Sequence, residues 1–252
     1  MKNKTYINVP TLFSALNLLC GFVSVAQTVA NNFVWAAWLI FIAAVFDALD
    51  GRIARSAGIS SDFGMQVDSL ADVVSAGVAP AILLYQFNLQ RLEQMGLIIA
   101  FLPLLFAAFR LARYNLFVMQ NGRTSDYVGM PAPMAANTLA SLVILYSHTQ
   151  WLWLWRATVF FVPLVSLLMI STFRYDGFPR FNWIEKGKNR IMLIFFFIAL
   201  LFLLITPQYT LFIFMLIYLL SGPFGALLAL FKEGKTEVVI IPDDLATKGE
   251  KE

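Results

Sequence analysis

Four aspartates, Asp47, Asp50, Asp68 and Asp72, lie in a stretch of the chain that is otherwise strongly apolar. Asp47 and Asp50 are three residues apart, and Asp68 and Asp72 are four apart, so each pair shares one face of a helix. An aspartate at the centre of a membrane helix costs about 2.5 to 3.5 kcal/mol on insertion scales. Four such side chains without compensation would cost on the order of 10 kcal/mol, so we expect a ligand to bind there.

The chemistry follows from the repulsion between the two acidic faces, which meet across one turn of the chain. At about 6 Å and an effective dielectric constant near 20, each like-charge pair costs roughly 3 kcal/mol. Either some of the carboxylates are protonated or cations lie between them. Oxygen ligands without histidine or cysteine suit hard cations, and Mg²⁺ or Mn²⁺ are the natural candidates. Four carboxylates are enough for two ions, and a two-metal site is typical of phosphoryl displacement.

The elements that must position these residues are membrane helices. Of the 252 residues, 60% are hydrophobic and only 13% are charged, and the mean hydropathy is +0.74. This composition predicts an all-α polytopic membrane protein. The net charge of +3 is small and the basic residues form no stripe with interleaved aromatics, which argues against a nucleic-acid partner.

A span of roughly 30 Å of hydrocarbon needs about 20 apolar residues, and the chain divides into about eight such segments. The predicted spans are Thr11 to Ala30, Phe33 to Ser56, Gly64 to Phe87, Glu93 to Met119, Pro131 to Tyr146, Trp151 to Thr172, Asn189 to Ile205 and Tyr209 to Phe231. We expect residues 1–231 to form one membrane domain, with its core at about 11–172 and two further helices at about 189–231. The polar segment 232–252 is predicted to be a cytoplasmic tail.

The distribution of basic residues predicts the orientation. If the N-terminus is cytoplasmic, every Lys and Arg except Arg91 and Arg156 falls on the cytoplasmic side. The aspartates then lie in the cytoplasmic half of an integral, multi-pass protein of the cell membrane.

Four further residues complete the pattern around the aspartates. Gly51 and Gly64 have no side chains, so helix backbones could approach each other or a bound nucleotide there. Ala54 adds only a methyl group to the same surface. Arg55 supplies a positive fork that suits a phosphate, although a topology charge is an equally good interpretation. Each feature is weak alone, and their joint spacing is what points to a phosphate-bearing ligand.

The full pattern reads DALDGRIARSAGISSDFGMQVDSLAD, and its eight ordered positions match the signature of the CDP-alcohol phosphotransferase family. The resemblance implies a six-helix core, a cytoplasm-facing site, two divalent cations and a homodimer. It also implies a reaction in which a hydroxyl attacks the β-phosphorus of a CDP-linked substrate and releases CMP. The resemblance further implies that the protein is surrounded by membrane lipid.

Carried over to this chain, the resemblance assigns the ions to Asp47, Asp50, Asp68 and Asp72. Asp72 would also accept the proton of the attacking hydroxyl, because a base beside a cation can activate an alcohol. A larger set would bind the nucleotide and its diphosphate: Asp50, Gly51, Ala54, Arg55 and Gly64, with Asn17 and Thr11 as further candidates. Asn17 and Thr11 could equally bond neighbouring helices.

Three further segments resemble the membrane-type phosphatidylserine synthases of bacteria and archaea: VPTLFSALNLLCG at the start, FRLARYN at 109–115 and GMPAPMAA at 129–136. This resemblance implies CDP-diacylglycerol, or its ether-lipid counterpart, as the donor and L-serine as the acceptor. Arg110 and Arg113 could pair with the serine carboxylate or a lipid phosphate, or could be positive-inside anchors. Asn115 could position serine or cap a helix end.

Two other functions fit parts of the pattern. A sibling enzyme would use glycerol 3-phosphate or inositol as the acceptor, and a phosphorylated acceptor would call for more basic residues near the site. A cation transporter could also use intramembrane aspartates. Against it, the acids occupy one helix pair near one face, and no inverted repeat is seen.

Overall fold

The computed structural model describes four stretches of the chain: 9–57, 62–121, 127–175 and 202–233. The helices are α1 Val9–Val29, α2 Phe33–Ala57, α3 Asp62–Asp72, α4 Ala79–Phe87, α5 Glu93–Asn121, α6 Ala132–Thr149, α7 Leu152–Ile170 and α8 Pro207–Glu233. A π-helical turn, Val73–Val78, joins α3 to α4, and a 3-10 turn, Leu89–Leu92, precedes α5. Two strands of two residues each, β1 Tyr127–Val128 and β2 Arg174–Tyr175, pair antiparallel.

The prediction of an all-α polytopic membrane protein is confirmed. Within the described residues, six helical stretches are long and apolar enough to cross a membrane: Thr11–Val29, Phe33–Ile53, Phe63–Phe87, Leu89–Val118, Leu152–Ile170 and Pro207–Leu228. They correspond to six of the eight predicted spans. Large apolar side chains cover their outer surface, as expected for a bundle that faces lipid rather than water.

The two remaining spans need separate comment. The fifth corresponds to α6, an 18-residue helix in the interior of the bundle. The seventh, predicted at 189–205, lies outside the described residues except for its last turn, as does most of the predicted tail. The division of the chain at residue 231 therefore stays a prediction.

The centre of the bundle is α6, which is buried along most of its length. Its alanines, among them Ala132, Ala136 and Ala140, are almost fully inaccessible to solvent. Small residues let helix backbones approach closely, which is how membrane helices gain packing energy when lipid is as apolar as their side chains. The helix begins after Pro131, as the sequence predicts for a proline at a helix start.

The π-helical turn directly after Asp72 has a local cause. Pro80 lies in the first turn of α4 and has no backbone N–H, so the usual hydrogen-bond ladder cannot continue through it. The N–H of Ala79 instead bonds to the carbonyl of Val74, five residues back. Such turns widen a helix and often occur at functional sites.

Tyr175 holds α8 against the rest of the bundle. Pro223 lies inside α8 and cannot donate to the carbonyl of Leu219, four residues back. The hydroxyl of Tyr175 donates to that carbonyl at 3.1 Å. The Tyr175 ring is almost fully buried and lies against Gly222, where an added Cβ would meet ring carbon Cζ at 2.4 Å. Burial also raises the pKa of Tyr175 to about 12, so the hydroxyl keeps its proton at neutral pH.

The contact between the Tyr175 ring and Gly222 predicts that Gly222→Ala lowers the thermal stability of the purified protein. The added methyl group overlaps the buried ring of Tyr175, and overpacking costs about 1 to 3 kcal/mol. The midpoint of thermal unfolding in detergent, followed by circular dichroism, measures the effect.

Gly225 provides the matched control in the same helix. A Cβ added there meets no atom within 4 Å, so Gly225→Ala should leave the midpoint unchanged or raise it, since alanine favours a helix. An equal fall of the unfolding midpoint in both variants would contradict a specific contact between Gly222 and Tyr175.

Candidate active site

Three carboxylates from two helices converge at one end of the bundle. Asp47 lies near the end of α2, and Asp68 and Asp72 lie in the second half of α3. One oxygen from each of the three lies within 4.8 Å of the others. Asp72 is buried, whereas Asp47 and Asp68 are half-buried. Three of the four predicted aspartates therefore lie together, and their role as ion ligands stays a prediction.

The donor set fits a hard divalent cation. Each carboxylate offers oxygen only, and like charges within 4.8 Å repel by at least roughly 3 kcal/mol per pair at an effective dielectric constant near 20. A cation between the three groups would convert that repulsion into attraction, and Mg²⁺ or Mn²⁺ prefers such ligands.

Asp50 lies outside this group of three, although it is as buried as Asp72. Its Oδ2 atom accepts a hydrogen bond from the hydroxyl of Ser14 on α1. Among the described residues, the group of three carboxylates therefore consists of Asp47, Asp68 and Asp72 and does not include Asp50. The role of Asp50 as an ion ligand stays a prediction.

Asn17, also on α1, contacts the most buried of the three carboxylates. Its side-chain Nδ2 donates to Asp72 Oδ1 at 2.9 Å. Because an ionised carboxylate only accepts, the amide NH₂ group must face Asp72 and the amide oxygen must point away. That oxygen is buried and has no hydrogen-bond partner among the described residues. A buried acceptor without a donor costs about 1 to 3 kcal/mol.

Close packing of α1 on the π-helical turn supports these two contacts. Gly21, one turn after Asn17, lies so near Ser75 that an added Cβ would be 2.8 Å from its Cα atom. The obstructing atom belongs to the backbone and cannot rotate away, so a larger residue would push the two helices apart. Glycine at this position therefore sets the separation between α1 and the segment that follows Asp72.

The two arginines of α5 have different surroundings. Arg110 is buried, and its charge acts on Asp72. Arg113 is exposed, and its Nη1 donates to the carbonyl of Ile170 at the end of α7, at 3.2 Å. Its guanidinium also lies against Gly129, whose φ of +81° favours glycine. Of the two, Arg110 is the one near the acidic site.

Asn115 connects α5 to the helix that carries two of the aspartates. Its Nδ2 donates to the hydroxyl of Ser69 at 2.9 Å, and that hydroxyl donates to the carbonyl of Met65 at 3.0 Å. Ser69 is the neighbour of Asp68. Because α5 continues to Asn121, Asn115 lies inside the helix, and the alternative interpretation that it caps a helix end is wrong.

The predicted nucleotide-binding residues lie on the same elements. Gly51 follows Asp50 in α2, Gly64 lies in the first turn of α3, and Thr11 lies on α1, half-buried. The backbones of Ala54 and Arg55 belong to the last part of α2, but their side chains lie outside the described part of the structure.

A narrow crevice with no room for a water molecule borders Asp72. Its walls are apolar except for Asp72 and Ser75, and its lining is Ile40, Ala44, Asp72, Ser75, Ala76, Pro133 and Ala136. Residues of α2, α6 and the π-helical turn therefore lie together beside the Asp72 carboxylate.

The sequence reasoning missed Ser14 and the π-helical turn. A signal for Ser14 was present, because Ser14, Asn17, Gly21, Ser24 and Thr28 recur at the spacing of one helix face. All five are buried in the structure. Pro80 was the signal for the π-helical turn, although a proline alone does not specify that geometry.

Comparison with known proteins places this geometry in a family. The family model described as CDP-alcohol phosphatidyltransferase matches residues 7–163. The CDP-diacylglycerol--serine O-phosphatidyltransferase of Helicobacter pylori is 34% identical over 218 residues, which are 84% of this chain and 88% of that protein.

Two archaeal proteins are similar over most of their lengths. The CDP-diacylglycerol--serine O-phosphatidyltransferase of Methanocaldococcus jannaschii is 31% identical, over 86% of this chain and 92% of that protein. The archaetidylserine synthase of Methanothermobacter thermautotrophicus is 33% identical, over 69% of this chain and 72% of that protein. With the matching family model, the motif and the converging carboxylates, these similarities show that the chain belongs to the CDP-alcohol phosphatidyltransferase family.

Proposed function

We propose that this protein transfers the phosphatidyl group of CDP-diacylglycerol to the hydroxyl of L-serine, which yields phosphatidylserine and CMP. The observation that carries the proposal is the convergence of Asp47, Asp68 and Asp72 beside Arg110 in a member of this family. The choice of serine is supported by relatives named for that acceptor, which align over most of both chains.

The reaction is a direct displacement at phosphorus. The serine hydroxyl oxygen forms a bond to the phosphorus of the phosphatidyl group, and the bond from that phosphorus to the CMP oxygen breaks. The hydroxyl proton passes to Asp72, and CMP leaves with the electron pair of the broken bond. A carboxylate within hydrogen-bond reach of the attacking hydroxyl is a suitable base for this step.

We propose Asp47, Asp68 and Asp72, together with Asp50, as the residues that hold two divalent cations, Mg²⁺ or Mn²⁺. Bound ions of this kind stabilise negative charge on phosphate oxygens and on an attacking alkoxide. The chain's own contribution is a rigid set of oxygen ligands on two helices, which keeps the carboxylates together before the substrates arrive.

The donor and the acceptor would approach from different helices. The cytidine and diphosphate would lie along Asp50, Gly51, Ala54, Arg55 and Gly64, with Thr11 near the same end of α1. The buried Arg110 is the better candidate for the serine carboxylate or a lipid phosphate, since Arg113 already contacts the end of α7. Asn115 acts indirectly, through Ser69.

The orientation and assembly also belong to the proposal. In the full sequence, every Lys and Arg except Arg91 and Arg156 is assigned to the side of the aspartates. Of the described residues, Arg52, Arg110 and Arg113 lie at that end of the bundle, and Arg91, over the Trp155 ring, and Arg156 lie at the other end. This asymmetry favours a cytoplasmic site and a cytoplasmic N-terminus. The family resemblance adds a homodimer, which stays a prediction.

The test of the function is CMP release by the purified protein in detergent with CDP-diacylglycerol and Mn²⁺ or Mg²⁺. Serine, glycerol 3-phosphate and inositol are supplied in separate reactions. We expect release only with serine, and we expect chelation to abolish it. Release only with another alcohol would overturn the acceptor, and no release with any alcohol would overturn the enzyme.

A second prediction concerns the proposed base. Asp72→Asn keeps the shape of the side chain but removes the proton acceptor, so we expect kcat to fall by about 100- to 10,000-fold. Titration with Mn²⁺, followed by its paramagnetic resonance spectrum, should still detect bound ions. A variant with the wild-type rate would rule out Asp72 as the base, and Asp62→Asn, outside the motif, is the matched control.

A third prediction concerns Asp50. Because its carboxylate would serve both an ion and the nucleotide, Asp50→Ala should raise the Mn²⁺ concentration for half-maximal activity and the KM for CDP-diacylglycerol together. Both quantities come from initial rates of CMP release. An unchanged metal requirement would remove Asp50 from the ion site.

A further inference from the structure

The side of α1 that faces the acidic site carries a polar stripe, defined here as Ser14, Asn17, Gly21, Ser24 and Thr28. Its members differ in what they contact. Ser14 and Asn17 bond to carboxylates of the motif, Asp50 and Asp72. The hydroxyls of Ser24 and Thr28 instead donate to backbone carbonyls, at 2.8 and 2.9 Å. Only the first part of the stripe therefore reaches the site.

We infer that Asn17 is a positioning residue that sets the orientation of the Asp72 carboxylate, and that Ser14 does the same for Asp50. The inference rests on the proposed function, since it concerns the base and the donor side of that reaction. It assigns Asn17 to Asp72 on a neighbouring helix; a bond between helices and a contact with the nucleotide were the two interpretations of the sequence.

The geometry around Asp72 carries the first step of the argument. The terminal torsion of an aspartate is broad, so packing alone holds its two oxygens only loosely. The Asn17 amide donates to Oδ1 at 2.9 Å, which fixes Oδ1 as the oxygen that faces Asn17. Asn17 cannot turn its amide over, because its own oxygen would then face a carboxylate oxygen.

The second step is that packing confines the side chain of Asn17. Its side chain is fully buried on α1, and one turn later Gly21 lies against the backbone of Ser75. Ser75 is three residues after Asp72, so the two segments touch about one turn from the hydrogen bond. Rigid elements that hold a supporting residue in this way are what keep a reactive group in its productive geometry.

The third step is the unpartnered amide oxygen of Asn17. Within the described residues, the amide oxygens of Asn88 and Asn137 are likewise buried without a partner, so the Asn17 oxygen differs from them only in belonging to the amide that contacts Asp72. The apolar isostere leucine would remove this acceptor and the hydrogen bond to Asp72 while keeping the volume.

The test compares three single variants of the full-length protein: Asn17→Leu, Ser14→Ala and Ser24→Ala. Each preparation is first titrated with CDP and Mn²⁺, and the rates of CMP release are then expressed per CDP-binding site. This normalisation removes the effect of misfolded protein, because an unfolded molecule does not bind CDP.

Asn17→Leu should lower kcat per site by about 10- to 100-fold, the usual cost of losing a residue that orients a ligand or base, with the KM for CDP-diacylglycerol unchanged. Ser14→Ala should instead raise the KM for CDP-diacylglycerol. Ser24→Ala, which removes an equally buried hydroxyl from the same stripe, should lower thermal stability and leave both kinetic constants per site unchanged.

Several outcomes would overturn the inference. A wild-type kcat per site in Asn17→Leu, or an equal fall in Ser24→Ala, would show that Asn17 has no specific effect on Asp72. A raised KM for CDP-diacylglycerol with unchanged kcat in Asn17→Leu would return Asn17 to the nucleotide. Absence of serine-dependent CMP release from the wild-type protein would instead overturn the proposed function.

Discussion

Mutual repulsion among Asp47, Asp68 and Asp72 is the constraint around which this bundle is arranged. Three carboxylates with oxygens within 4.8 Å of one another are unfavourable in an apolar helix bundle unless positive charge or hydrogen bonds offset the repulsion. The described residues supply part of the offset through Arg110 and Asn17. The rest is what divalent cations would supply, so the acidic site and ion binding are two aspects of one energetic requirement.

The helix α1 contributes to the site although its sequence carries no charged residue within the membrane. Its small and polar face allows a backbone approach at Gly21 and brings Ser14 and Asn17 to two different aspartates. In lipid, hydrogen bonds and close packing replace the hydrophobic effect as the forces between helices. The same face can therefore hold the bundle together and orient its reactive groups.

Farther from the site, the packing of α8 on Tyr175 follows from a local defect in a helix. Pro223 leaves a carbonyl without a donor, Gly222 leaves space beside it, and Tyr175 occupies both. The paired strands β1 and β2 bring Tyr175 to this position. The last described helix is thus joined to the segment that follows α7, and Arg113 contacts Ile170 at the end of α7 itself.

The sequence by itself determined the class of the protein, the acidic motif and most of the helices. Apolar segments long enough for a membrane are visible without any contact, and helical spacing is sufficient to pair Asp47 with Asp50 and Asp68 with Asp72. It also placed α6 after Pro131, because a proline at a helix start acts through its own backbone. These features depend on residues close together along the chain.

Only the tertiary structure decided which side chains meet across helices. Arg110 and Arg113 are three residues apart and look equivalent in sequence, yet one is buried near Asp72 and the other contacts Ile170. Asn17 and Asp72 are far apart along the chain, and no periodicity predicts that their side chains bond. The physical reason is that such contacts depend on the rotation and separation of whole helices, which close approaches such as Gly21 on Ser75 determine.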